Sequence, residues 1–311
     1  MSSRDVLYID RSARERLARL ARNEGLNANV VFARYLQERF LDRLGRTPYR
    51  ESLILKGGLF LFAHATSTGQ RLARPTRDVD LSAKGLSNRP RFIRTVFSEI
   101  CQVQIRDGVV FDYERIKAEE INPQKEYPGV RVRIPANLAG IKTYIQVDIG
   151  FGDVVTPAPE PMTFPVLLED MPAPQILAYS LETVIAEKFQ AMIYLSIATG
   201  RFRDFYDIHD LAQHHAFSGE LLTDAVRNTF HARATPFDTE PVVFRETYKN
   251  DPALTEGWTA YLRTSGLEGA PETFAEVVSS IERLLSPVYE ACLRRTSMNG
   301  TWSPEQGVWL P

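Results

Sequence analysis

Residues 53–82 read LILKGGLFLFAHATSTGQRLARPTRDVDLS, and their pattern decides the fold class. A short apolar run, Leu53-Ile54-Leu55, meets Lys56-Gly57-Gly58, and Leu59, Phe60, Leu61, Phe62 and Ala63 then open a buried helix. That is a strand, a glycine turn and a helix. Such a junction offers free backbone N–H groups at a helix N-terminus, a natural seat for phosphate oxygens; a tight turn that needs positive φ would use the same glycines. After an Arg-rich loop (Arg71, Arg74, Arg77), residues 78–82 read as a strand. On it Asp78 and Asp80 share one face while Val79 and Leu81 point to the core. Two like charges on one face want a cation between them.

Working outward, a helix over 91–101 is followed by alternating segments at 109–115, 130–134 and 141–149, the last two joined by the hairpin-like Asn137-Leu-Ala-Gly140. In 141–148 the odd positions Ile141, Ile145 and Val147 are apolar and the even ones polar, which places Asp148 on the solvated face. If the two strands are neighbours, a third carboxylate joins the pair, and three oxygen ligands with room for water suit Mg²⁺ or Mn²⁺. Residues 49–155 thus read as an α/β unit with a mixed sheet.

Upstream, residues 1–48 read as a basic helical appendage. Ser12-Ala-Arg-Glu15 has capping-box spacing, and Val31, Phe32, Tyr35, Leu36, Phe40 and Leu44 recur at helical spacing in a second helix. The arginines there are either a solvated helix face or a contact for RNA or a partner. Prolines 157, 159, 161, 165, 172 and 174 mark 156–176 as a stiff connector. Residues 177–311 read as helical, over 181–196, 204–214, 221–230, 252–262 and 271–295.

Lys188 falls in the middle of an apolar helical stripe formed by Leu181, Val184, Ile185, Met192 and Leu195. It either snorkels, sits in a structural ion pair or reaches a buried anion. Asp204 and Asp207, three apart on the next helix, share a face, as an acidic cluster at a helix N-terminus also would. His209, His214 and His215 read as a surface cluster rather than a metal site.

Composition bounds these readings. The 311 residues are 44% apolar and 24% charged, as in ordinary globular chains, and a net charge of -2 excludes a bulk polycation that binds nucleic acid by charge alone. Cys101 and Cys292, far apart, read as free thiols of a reducing compartment, and no stretch approaches the ~18 apolar residues of a membrane span. The expectation is a soluble, cytoplasmic protein without membrane contact.

Lys56-Gly-Gly, Thr76-Arg-Asp78-Val-Asp80-Leu, Val147-Asp148-Ile-Gly, Glu187-Lys188 and Arg203-Asp204-Phe-Tyr-Asp207, in this order, resemble the AbiEii/AbiGii toxin family of nucleotidyltransferases. The resemblance implies a DNA polymerase β-like minimal nucleotidyltransferase fold, a mixed sheet with flanking helices joined to a helical C-terminal domain. It also implies Mg²⁺-dependent transfer of a nucleotide from an NTP, with tRNA 3′ ends as the acceptor in characterised relatives, and a cognate antitoxin. By residue, Lys56, Gly57, Gly58 and Arg77 would bind the nucleotide, Asp78, Asp80 and Asp148 would hold metal, and Lys188 would bind the triphosphate. Asp204 or Asp207 would match the family's C-terminal essential carboxylate, as a base or by orienting Lys188. Gly58 stands where a serine is often found, which puts serine-based self-modification in doubt. Nucleotidylation of a protein side chain, and a non-catalytic nucleotide- or partner-binding module, are the competing readings.

Overall fold

The computed structural model describes residues 3–69, 76, 78–121, 129–267 and 269–311, with side chains from Ser12 onward. The chain divides into two compact units, Met1–Asp153 with Glu160–Ala178, and Val154–Pro159 with Tyr179–Pro311.

The first unit opens with helices α1 (Ser3–Asn23) and α2 (Ala28–Gly45), followed by β1 (Leu53–Lys56), α3 (Gly57–Ser67), β2 (Asp78–Ala83) and α4 (Pro90–Cys101). Strands β3 (Val109–Phe111), β4 (Lys117–Ile121), β5 (Gly129–Leu138), β6 (Ile141–Phe151), β7 (Glu160–Thr163) and β8 (Gln175–Ala178) complete it. The sheet runs β3-β5-β6-β2-β1-β8-β7, with β4 also on β5. It is mixed: β2 lies parallel to β6 and antiparallel to β1, and β5–β6 is an antiparallel hairpin. That hairpin closes through Ala139 and Gly140, both at positive φ as a two-residue primed turn requires, with Asn137 Oδ1 accepting from the Gly140 N–H at 2.9 Å. Strict alternation buries Val130, Val132 and Ile134 on β5 and Ile145, Val147 and Ile149 on β6. Helix α4 starts at Pro90, where a missing N–H costs nothing, and buries Ile93, Val96, Phe97 and Ile100 at helical spacing.

Two expectations need correction here. Residues 1–48 are not an appendage, since α2 is buried along most of its length. Its arginines serve neither a solvated face nor RNA: Arg39 pairs with Glu38 at 2.6 Å, and Arg43 grips Asp107 at 2.5 Å and the Val109 carbonyl at 3.1 Å. Ser12 caps nothing, because α1 already runs from Ser3. Nor is the Pro-rich stretch over 156–176 only a stiff connector, since Glu160–Ala178 belongs to the first unit. Glu38 accepts from the Leu167 N–H at 2.8 Å, Arg39 donates to the Pro172 carbonyl at 3.0 Å, and Phe164 is fully buried. Pro161 sits in β7, an edge strand, where a missing donor is tolerated.

Arg34 on α2 is a buried charge held between two rings. Its guanidinium lies 3.6 Å from the Phe62 ring centroid and 4.4 Å from that of Phe164, yet its three nitrogens make no hydrogen bond. Burial pushes its pKa down to about 9, against a partial opposing pull from Glu38. A buried charge without hydrogen bonds repays its desolvation poorly, so Arg34→Met, of similar length and apolar, should hold or raise stability by about 1 kcal/mol. Urea unfolding of the two proteins side by side measures this, and a loss above about 2 kcal/mol would mean that the aromatic sandwich outweighs the missing bonds.

In the second unit come α5 (Leu181–Leu195), α6 (Phe202–His214), β9 (Phe217–Ser218), α7 (Gly219–Ala232), α8 (Glu246–Lys249), α9 (Pro252–Ser265) and α10 (Phe274–Leu293), then β10 (Thr301–Ser303) and β11 (Val308–Leu310). Helix α10 carries a full capping box, Thr273 and Glu276 each bonding the other's backbone, and buries Val277, Val278, Ile281, Leu284, Leu285 and Val288. Phe189, Phe230 and Tyr289 meet with ring centroids 5.7–6.2 Å apart and join α5, α7 and α10. The short strands form a second sheet, β11-β10-β9. Among the described residues no helix is long and apolar enough to cross a membrane.

Candidate active site

The chemistry-bearing residues of the first unit sit in one row across the sheet. Register places Lys56 of β1 opposite Asp80 of β2, Asp80 opposite Asp148 of β6, and Asp148 opposite Arg131 of β5. Directly paired positions share a face, so the row reads cation, carboxylate, carboxylate, cation. Asp78 lies two residues back on the same face, and Val79 and Leu81 are fully buried on the other.

Gly57 explains how Asp80 is seated. It begins α3 at φ +69°, and a β-carbon there would lie 2.7 Å from the Asp80 Cβ and Cγ and collide with Oδ2. The Asp80 carboxylate therefore packs over a bare Cα at a helix N-terminus, whose partial positive charge favours the ionised form. Gly57 has the positive φ that a tight turn needs, and α3 starts there. Gly58 is the second residue of α3. Gly57→Ala meets two penalties at once, the left-handed backbone and the Asp80 clash. It should cost about 1–3 kcal/mol of stability and displace Asp80. Thermal unfolding together with nucleotide-transfer rates checks this; wild-type values for both would mean that the junction adapts freely.

Lys56 Nζ donates to Asp153 Oδ2 at 2.6 Å, just past the end of β6. A β-carbon on Gly150 would come within 2.8 Å of that same oxygen and 3.4 Å of Nζ, so a side chain there would have to push the pair aside. Sequence reasoning missed Asp153; Gly150, a glycine inside an otherwise continuous strand, was the available signal. Asp148 is bound in a two-point fork, Arg131 Nε to Oδ1 and Nη2 to Oδ2, both at 2.8 Å. The hydrogen bond to Asp148 is the main reason that the Arg131 pKa is raised, with burial opposing and Asp148 and Asp78 adding charge attraction. Arg71, Arg74 and Arg77 lie outside the described residues.

Asp78 and Asp80, on one face beside a glycine helix start, are a donor set of the hard oxygen kind that Mg²⁺ or Mn²⁺ takes. The larger set expected from the strand pattern is not assembled. Among the described residues no three His, Cys, Asp or Glu side chains group as a metal site, and Asp148 is engaged by Arg131.

In the second unit, Ser180 caps α5 by accepting from the Thr183 N–H at 3.2 Å, and Thr183 in turn donates to the Thr156 carbonyl at 2.8 Å. From this anchored helix Lys188 reaches two carboxylates of α6, Asp204 Oδ1 at 2.7 Å and Asp207 Oδ2 at 2.8 Å. Arg201 Nε lies 2.6 Å from the other Asp204 oxygen. The lysine side chain is 13% exposed, the carboxylates 5% and 6%. Burial works against the Lys188 charge, but Asp207 and Asp204 outweigh it and hold its pKa above the usual lysine value. Burial likewise opposes ionisation of Asp204, and Lys188 and Arg201 overcome it and keep its pKa below the usual carboxylate value. Three residues singled out from sequence are thus brought together, and both aspartates accept hydrogen bonds from Lys188. Glu187 is pinned elsewhere, by Tyr179 at 3.0 Å and Arg233 at 3.2 Å. His209 is not part of a surface cluster: it is half-buried, bonds Ser280 at 2.9 Å, and burial lowers its pKa to about 4, with Arg283 and His214 adding to the shift.

Comparison with known proteins bears on what this arrangement does. No curated protein matches the chain. Two solved structures from Helicobacter pylori are similar at a low level. One, of a candidate nucleotidyltransferase, is 15% identical with a TM-score of 0.46 over 87% of this chain and 99% of that one. The other, JHP933, is 16% identical with a TM-score of 0.45 over 87% and 96%. Residues 39–280, well over half of the 311, match the family described as nucleotidyl transferase AbiEii toxin, type IV TA system. The order of Gly57-Gly58, Asp78 and Asp80, Lys188, and Asp204 with Asp207 falls within that match, and the chain belongs to the AbiEii family of nucleotidyl transferase toxins.

Proposed function

We propose that this toxin transfers a nucleotide from an NTP to the 3′ end of tRNA in a metal-dependent reaction, and that it inhibits translation and growth in this way. The observation that carries the reading is the seat of Asp80, a carboxylate beside Asp78, over a glycine that starts a helix. A divalent ion held by Asp78 and Asp80 would supply charge neutralisation and lower the acceptor hydroxyl's pKa. The N–H groups that open α3 at Gly57 and Gly58, which have no partner within the helix, offer donors to phosphate oxygens. In the first unit Lys56, steadied by Asp153, offers an ammonium group; in the second, Lys188 is a separate ammonium held by Asp204 and Asp207. The acceptor oxygen forms a bond to the α-phosphorus, the α–β bridging bond breaks, pyrophosphate leaves and the hydroxyl proton passes to water. Positioning and electrostatics do nearly all of this work.

For the acceptor's backbone, exposed Arg19 and Arg22 on α1 are suited, in place of the buried arginines of α2. The antitoxin that a type IV toxin implies is the expected protein partner.

Aminoacylation tests the acceptor. tRNA incubated with the protein, Mg²⁺ and an NTP should lose its capacity to be charged with amino acid, because an added nucleotide covers the 3′ hydroxyl. Full charging after incubation, with label from the NTP found on protein, would move the acceptor to a side chain.

A further inference from the structure

Arg131 and Asp148 stand opposite each other on adjacent antiparallel strands and meet fork to fork, with both bonds at 2.8 Å. A planar guanidinium in this geometry takes one lone pair on each carboxylate oxygen and sets a fixed positive charge against the group, so a divalent ion would have to displace it to chelate that carboxylate and is repelled by it otherwise. The pair is half-buried, with side chains 31% and 21% exposed. The register also sets Asp148 directly beside Asp80, and like charges on paired positions repel unless a cation intervenes. Arg131 flanks Asp148 on the side away from Asp80 and offsets its charge, and it acts on Asp78 as well.

We propose that Arg131 is a resident cation that keeps Asp148 out of the metal's ligand set, so that among the described residues Asp78 and Asp80 are the carboxylates that hold it. This rests on the reading of the β2 pair as the metal site. A two-carboxylate site with a fixed positive charge nearby binds a divalent ion weakly by itself. Mg²⁺ characteristically completes such sites with substrate phosphates, so the ion arrives with the triphosphate and the protein without nucleotide stays largely metal-free. Arg131 acts through Asp148 and is a positioning residue; the reading assigns it no contact with substrate.

Calorimetric titration of the full-length protein with Mn²⁺, without nucleotide, tests this. Asp80→Asn should weaken Mn²⁺ by about tenfold or more, the usual scale for a lost group at a metal site. Asp148→Asn should weaken Mn²⁺ by less than about threefold, through the lost charge alone, because its carboxylate is not a ligand. Arg131→Gln should tighten Mn²⁺ roughly three- to tenfold, by removing a nearby charge and freeing Asp148. The double variant Arg131→Gln/Asp148→Asn should lose part of that gain. Arg131→Lys keeps the charge and gives up the fork; it should show a smaller gain of the same sign, and it serves if the glutamine variant does not fold. Weakening of about tenfold by Asp148→Asn would make it a third ligand and overturn the proposal while the β2 site stands. Unchanged Mn²⁺ affinity in Asp80→Asn would overturn both.

Discussion

Asp80→Asn should lower nucleotide transfer by at least about 10²–10³-fold while leaving the fold intact, on the scale of removing one preorganised electrostatic group from an active site. The isosteric amide keeps the packing over Gly57, and the buried neighbours Val79 and Leu81 lie on the other face of β2. What is lost is one of the two carboxylates proposed to hold the divalent ion. The structural cost is small: an anion at the N-terminus of α3 is worth only about 0.3–1 kcal/mol, and removing one of two adjacent like charges returns part of it. Melting temperature and transfer rate measured on the same preparation separate the two effects. A variant that transfers at the wild-type rate would sink the assignment of β2; one that does not fold would mean that Asp80 is structural.

Lys188→Met should have the largest effect on stability, about 3–5 kcal/mol, because it leaves Asp204 and Asp207 buried without their shared cation. Activity should fall with it. To separate the roles, the triple variant Lys188→Met/Asp204→Asn/Asp207→Asn removes all three charges together; it should recover most of the stability and none of the transfer. Recovery of transfer would show that the trio is scaffold alone. The same trio sets a pH window. The raised Lys188 pKa stabilises the fold fully below the usual lysine value of 10.5, and that contribution is lost as pH rises through the folded value. The lowered Asp204 pKa stabilises above the usual 3.8, and that contribution is lost as pH falls through the folded value. Wild type should therefore outlast the triple variant between about pH 4 and pH 10, with the difference closing at both ends.

How far the sequence disclosed this protein depends on whether a residue's role lies in local pattern or in long-range pairing. Period-two alternation put Asp78, Asp80 and Asp148 on a solvated face, and the structure pairs their strands in register. Period-3.6 projection placed Lys188 among apolar neighbours, and Asp204 with Asp207 on one face of the next helix; the structure joins them at 2.7 and 2.8 Å. The partners of the sheet row were not legible. Arg131 meets Asp148 across a hairpin, and Lys56 meets Asp153 from 97 positions away, which no local period encodes. Composition misled where it stood in for burial. Eleven arginines in the first 50 residues look solvated, but Arg34, Arg39 and Arg43 point inward, because the acids that neutralise two of them are Glu38 and Asp42 on the same helix and Asp107 far along the chain. Six prolines looked like a linker because they forbid helix, yet an edge strand accepts one without penalty.

The central claim is tested most directly by incubating the purified protein with total tRNA, Mg²⁺ and each α-³²P-labelled NTP in turn, beside Asp80→Asn, and resolving the products on a denaturing gel. The account predicts label at the size of tRNA with at least one NTP, and none above background in the variant. Label that persists in Asp80→Asn, or that is absent from tRNA with all four nucleotides in the wild type, would contradict it.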